Sequence, residues 1–243
     1  VIPTIQEWYG YEGNFTLTAD SRIVINDAAN VNLEKTAAVM QENIKEIYVV
    51  LSNDLDVAIS SLGQQTGGSG EYKLGGESTE KITIDLNGKR LNITTTYWSN
   101  LGAKNPNATF TIKNGTMTSS QATGTWNSYD LTFSNCDYVV EDVVFAKAVA
   151  FDNAGKKVTM KDVTINETHD YYAMWITAAG QTVNIENLTI NSEGRGIKID
   201  EQYVDAPAKV TLNVKNATFN TVNKSAIIVK SVAGADITLE NVD

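Results

Sequence analysis

Cysteine, histidine and proline are nearly missing from this chain of 243 residues. One cysteine, Cys136, excludes a disulfide framework and any cysteine-rich zinc site. One histidine, His169, excludes a histidine-rich metal centre. Three prolines, with abundant Thr, Asn, Val and Ile, describe an ordered β protein rather than a disordered one. No apolar run approaches the ~20 residues of a membrane-spanning helix. Basic residues are also short, with 19 Lys and Arg against 29 Asp and Glu, a net charge of −10. That balance argues against nucleic acid as a partner and against anionic membranes, which need a basic footprint. The deficit is uneven. Residues 1–81 hold twelve acids and five bases, whereas residues 82–243 hold seventeen and fourteen.

What is present is a short pattern that recurs from residue 110 onward: apolar, any, apolar, charged, Asn or Asp, small or apolar, any, apolar. The copies are FTIKNGTM from Phe110, YVVEDVVF from Tyr138, VTMKDVTI from Val158, VNIENLTI from Val183 and LNVKNATF from Leu212, with a shortened ITLENVD from Ile237. The shared Asn or Asp falls at 114, 142, 162, 187, 216 and 241, at intervals of 28, 20, 25, 29 and 25 residues. Period-2 repeats of this length predict a β-solenoid with one repeat per coil. A second strand follows each copy: Leu131–Phe133, Val149–Phe151, Met174–Ile176, Ile197–Ile199 and Ile227–Val229. The varying intervals then become loop insertions at fixed corners.

Parallel stacking places equivalent residues about 4.8 Å apart. Phe110, Tyr138, Val158, Val183, Leu212 and Ile237 form one inward row. Ile112, Val140, Met160, Ile185, Val214 and Leu239 form another. The Asn/Asp row is expected at a bend, since these residues tolerate left-handed backbone and can bond one another along a ladder. A row of metal ligands is the competing reading, but four of the six are neutral Asn and calcium prefers charged oxygens. No metal and no cofactor are therefore expected. The preceding position alternates in sign: Lys113, Glu141, Lys161, Glu186, Lys215, Glu240. Opposite charges on adjacent strands attract, which supports the same register.

The N-terminal third reads differently. Leu33, Ala37, Met40, Ile44 and Ile47 lie at helical spacing, with Asn32 as a candidate cap. A strand over 47–51 follows, then a second short helix over 54–62 capped by Asn53, which is expected to close the open end of the solenoid. Residues 64–72 read as a loop. The domain division predicted is a small α/β region over 1–50 and a parallel β-helix with its cap helix over 51–243. The chain opens at Val1 rather than Met and closes inside a repeat, which points to a processed or partial chain, a monomer or part of a larger multidomain protein.

The IDLNGK segment from Ile84, taken with the repeats, resembles the right-handed parallel β-helix proteins of the pectin-lyase-like superfamily. The likeness covers about 70–243 and is closest to bacterial surface and adhesin-like members. It implies an all-β, right-handed parallel β-helix that is secreted or displayed on a cell surface. A second likeness sits at the start. VIP at Val1, Glu7-Trp8, GNFTL from Gly13 and SRIV from Ser21 are similar to the opening of the non-catalytic domain that precedes the barrel in family-20 glycoside hydrolases. That likeness covers about 45 residues and implies a carbohydrate-related modular protein.

Candidate ligand-binding residues gather in the loops between first and second strands: Trp126, Tyr129, Asp170, Tyr171, Tyr172, Glu193 and Arg195, with His169 beside them. Aromatic faces can stack on sugar rings while acids bond hydroxyls. The same side chains can instead pack over a solenoid corner. Trp175 is placed outward by alternation, between Ala150 and Lys198 of neighbouring coils, as a candidate sugar platform. No catalytic residue is assigned. Gly194-Arg-Gly-Ile-Lys198 echoes one segment of the polygalacturonases, but Gly-His-Gly and paired Asp are missing. The expectation is a noncatalytic, glycan-binding surface module. The alternatives are a polysaccharide lyase or glycoside hydrolase, and a purely structural stalk.

Overall fold

The computed structural model describes residues 22–25, 45–65, 70–95, 99–121, 131–168, 171–201, 205–222 and 224–243. The helix expected over 33–47 lies outside these residues up to its last three positions, and Glu46–Leu51 is a strand. The architecture is a parallel β-solenoid of about five turns among the described residues.

The strands are β1 (Arg22–Ile25), β2 (Glu46–Leu51), β3 (Leu55–Ala58), β4 (Gln64–Gln65), β5 (Glu71–Leu74), β6 (Lys81–Asp85), β7 (Arg90–Thr95), β8 (Asn100–Ala103) and β9 (Thr109–Gln121). They continue as β10 (Leu131–Ser134), β11 (Asp137–Phe145), β12 (Val149–Asp152), β13 (Lys157–Glu167) and β14 (Tyr172–Ile176). The last are β15 (Thr182–Ser192), β16 (Arg195–Ile199), β17 (Val210–Thr221), β18 (Ile227–Val229) and β19 (Ala235–Val242). One helical turn, α1 (Ile59–Leu62), lies between β3 and β4.

Two sheets form the walls. One runs β1-β2-β6-β9-β11-β13-β15-β17-β19, with β3 and β7 beside it, and the other runs β18-β16-β14-β12-β10-β8-β5-β4. Every pairing is parallel except β4 with β5. The inward rows are those predicted: Phe110 pairs with Tyr138, Tyr138 with Val158, Val158 with Val183, Val183 with Leu212, and Leu212 with Ile237. Leu131, Val149, Met174, Ile197 and Ile227 align in the second sheet.

The Asn/Asp row bends each long strand within its own wall, since the residues on either side of it pair in the same sheet. Asn114, Asp142, Asp162, Asn187, Asn216 and Asn241 all take left-handed backbone, with φ between 52° and 61°. This conformation costs most residues roughly 1 kcal/mol, and Asn and Asp least among those with a side chain. The amides then bond along the stack in one direction. Asn187 Nδ2 donates to Asp162 Oδ1 at 2.7 Å, Asn216 Nδ2 to Asn187 Oδ1 at 3.1 Å, and Asn241 Nδ2 to Asn216 Oδ1 at 3.1 Å. A second ladder joins Asn220 to Asn191 and Asn191 to Asn166, each at 2.8 Å.

The IDLNGK segment is in register with β9 up to Asp85 opposite Lys113, and resumes with Arg90 opposite Thr116. The bend of this early coil is therefore two residues longer than that of its neighbour. The extra residues explain Gly115: a Cβ there would lie 2.6 Å from Leu86 Cβ and 2.6 Å from Lys89 O.

The helix expected over 54–62 is mostly strand. Leu55, Val57 and Ile59 are buried on a period of two, and β3 pairs with β7 in parallel. Pairing a whole edge with a neighbouring coil outweighs the helical spacing of four apolar residues, because it satisfies the backbone and buries the same side chains. The remaining helical turn buries Ile59 and Leu62 at a corner, and β1 rather than this turn lies beyond β2 in the sheet. β2 spans the 50/51 position and pairs with β6, joining the main wall.

The core is a stack of aromatics and branched aliphatics. Phe110 and Tyr138 stack at 5.3 Å between centroids, and Phe133 and Phe151 at 5.5 Å. Tyr138 is the polar member, and its hydroxyl donates to Leu101 O at 2.7 Å, with Ser134 O at 3.1 Å. Its phenol is held well above its ordinary value by burial. Cys136 is buried beside it, and burial pushes its thiol up to about 11, so it is a packed side chain and not a nucleophile.

Candidate functional site

The aromatic candidates converge at one corner of the coils built on β14 and β16. Tyr172 opens β14 and pairs with Arg195, which opens β16, and further along Trp175 pairs with Lys198. Tyr171 and Tyr172 meet edge to face at 4.8 Å, Tyr171 and Trp175 stack at 5.4 Å, and Tyr172 and Trp175 meet at 5.2 Å. Three rings in mutual contact stabilise one another by roughly 0.5–1.5 kcal/mol per pair beyond area burial. Tyr171 is exposed, Trp175 half-buried and Tyr172 buried. The cluster thus grades from an anchored ring to an open one.

Two cations from the next coil lie over these rings. Arg195 sits 5.3 Å from the Tyr172 centroid. Lys198 Nζ lies 4.0 Å from the Trp175 ring and 5.1 Å from that of Tyr172. All three distances fall in the range of cation–π attraction. Lys198 is buried and ion-paired with Asp200, two residues along the same strand direction and equally buried. The other carboxylate oxygen of Asp200, Oδ1, has no hydrogen-bond partner. Arg195 has no ion-pair partner among the described residues.

Trp175 does stand outward between Ala150 and Lys198, as alternation predicts. Its ring is nevertheless occupied, by the Lys198 ammonium and by Tyr171. Among the described rings of this cluster Tyr171 is the most exposed. Glu193 is exposed in the turn before β16, its amide bonded to Glu167 O at 3.1 Å. Trp126, Tyr129 and Asp170, like His169, lie outside the described residues. Asp200 is the residue that sequence reasoning missed. The available signal was its spacing of two from Lys198, which puts both side chains on one side of an extended chain.

Gly196 is required between these groups. A Cβ there would lie 2.8 Å from Phe219 Cδ1 and against the Ala226 carbonyl, whose oxygen accepts from Ile197 N at 2.7 Å. The Gly-Ile-Lys run is thus explained by close packing of β16 against the coil beyond it. Next to it, Glu201 turns inward, and its Oε1 accepts from Ala233 N at 2.9 Å and from the Ser231 hydroxyl.

Among the described residues no three His, Cys, Asp or Glu side chains converge as a metal site. Among the same residues no helix is long and apolar enough to cross a membrane. No family model, curated protein or solved structure matches this chain, so it stands here on its fold, a parallel β-solenoid.

Proposed function

We propose that this solenoid is a noncatalytic glycan-binding module of the surface or secreted type, of pectin-lyase-like and adhesin-like character. The observation that supports the reading is the Tyr171–Tyr172–Trp175 cluster with Arg195 beside it on the next coil. An exposed ring held by two others loses little conformational freedom when a sugar face stacks on it. The Arg195 guanidinium, which has no ion-pair partner among the described residues, can bond sugar hydroxyls or acids as a fixed fork of donors. Fold alone supplies no function, and the argument rests on this corner.

An enzymatic reading would need a base and an acid at the same place. Lys198 is the best-placed amine, but Asp200 neutralises it and Trp175 covers it. That arrangement supports binding over lyase or hydrolase chemistry.

The experiment is a glycan array read together with reducing-sugar and unsaturated-uronide assays on the same preparations. Binding without product, lost in Tyr171→Ala with an unchanged melting temperature, is the expected result. Product release would replace this reading with the enzymatic one. Silence in every assay would leave the structural stalk.

A further inference from the structure

Two buried side-chain amides sit unbonded at one corner of the solenoid. Asn153 follows β12 and Gln181 precedes β15, and both are almost inaccessible. Neither the oxygen nor the nitrogen of either amide has a hydrogen-bond partner among the described residues. Folded proteins rarely leave buried polar groups in this state, because each lost its bonds to water on folding.

The backbone register brings the two amides to one place. Phe151 pairs with Ile176 and Ile176 with Ile199. The pairing runs on into the corner, where Thr177 N donates to Phe151 O at 3.1 Å and Asp200 N to Ile176 O at 2.9 Å. Two residues beyond these partners, Asn153, Ala178 and Glu201 therefore stack on successive coils. On the other side of the turn Lys157 pairs with Thr182, which sets Gln181 beside Lys156. The turn is tight, since Lys156 N donates to Asn153 O at 3.0 Å, and it is tied to the next coil by Gly155 N donating to Ala179 O at 2.9 Å.

Alternation gives the side chains their direction. Asn153 shares the side of Phe151, and Gln181 the side of Val183, and both of those are core residues. The two amides thus enter the interior at the same corner, one turn's width apart on neighbouring coils. Ala178, in the stack between Asn153 and Glu201, brings only a methyl group into the space. Glu201 is buried on the coil beyond, with Oε1 bonded to the Ser231 hydroxyl and Ala233 N and Oε2 without a partner.

The chemistry of these groups selects the occupant. The amides present N–H donors as well as oxygen acceptors. A cation would satisfy the oxygens and leave the N–H groups orphaned. An anion would satisfy the N–H groups and meet the Glu201 carboxylate. Water donates and accepts, and buried waters characteristically serve two to four otherwise unpartnered polar groups.

We infer that this corner is a binding site for ordered water, bridging the Asn153 and Gln181 amides across two coils and within reach of Glu201. The bridge joins neighbouring coils through side chains at a corner where the wall ladders give way to turns.

The test is a high-resolution crystal structure of the full chain, read with urea midpoints of variants. Density for water at about 2.7–3.2 Å from a polar atom of each amide is the expected result. A direct Asn153–Gln181 hydrogen bond without such density would overturn the proposal. So would an anomalous signal at that position after soaking in rubidium chloride, which would identify a cation. Asn153→Leu and Gln181→Leu should each lower the midpoint, because each leaves the other amide and the water with fewer partners. The double variant replaces the bridged pair with apolar groups, and its midpoint should lie above that of the weaker single variant. Additive losses would overturn the bridge.

Discussion

Lys198 and Trp175 stand opposite each other on neighbouring coils, with the ammonium 4.0 Å from the indole centroid and paired with Asp200. A buried ion pair of this kind is costly to break and cheap to replace, because removing one partner leaves an uncompensated buried charge. Lys198→Met should therefore lower stability by roughly 3–5 kcal/mol, whereas Lys198→Met with Asp200→Leu should recover most of the loss. Urea midpoints of the two single variants and the double variant measure the coupling. Additive losses would show that the two charges do not depend on each other.

Asn187 is the clearest probe of the bend. It holds φ at 59°, donates to Asp162 and accepts from Asn216. Asn187→Ala removes both bonds and adds backbone strain, an expected loss of about 2–3 kcal/mol. Asn187→Gly should restore the strain component, roughly 1 kcal/mol, but not the bonds. Equal midpoints for the two variants would remove the left-handed geometry from the explanation. Since a solenoid unfolds coil by coil, the comparison should use midpoints and not a single two-state energy.

Glu186 lies between Lys161 and Lys215. Glu186→Lys places three lysines in a row and should cost roughly 0.4–2 kcal/mol at low salt. Added salt should restore part of it, since exposed charges are screened. A variant as stable as the parent at low salt would contradict the role assigned to the alternation.

Acid should loosen the early coils. Burial pushes the Asp85 carboxyl up, but hydrogen bonds from Tyr48 and Asn114, the Asn87 amide and the nearby Lys113 outweigh it, and the net direction is down from 3.8. Asp56 is also lowered, by hydrogen bonds from Arg90 and Asn92. A lowered folded-state value means that the unfolded chain binds the proton first. The stability is present above the unfolded value and is lost as pH falls through the folded one. Denaturation midpoints from pH 7 to pH 3 should fall below about pH 4, and less steeply in Asp85→Asn. An unchanged slope in that variant would exclude Asp85 as a contributor.

The coil register was legible in the sequence because three independent patterns repeat together: alternating apolar residues, a bend residue that accepts left-handed backbone, and a charge that changes sign each coil. Each is a local property, and parallel stacking at fixed spacing turns local identity into contact. The strand at Leu55–Ala58 was not legible, since Leu55, Ala58, Ile59 and Leu62 also fit a helix. Only the presence of β7 alongside decided between them.

The corner was half legible. Alternation placed Trp175 outward and beside Lys198, but not under an ammonium that Asp200 also holds, and not against Tyr171. Those contacts depend on how loops of unequal length fold over the wall, and no periodicity encodes that. The sequence alone determined the stack, because burying two apolar rows and satisfying a parallel backbone leave one register. Tertiary structure decided how the corner side chains pack on one another and which described ring, Tyr171, is left exposed at the outer side of the cluster.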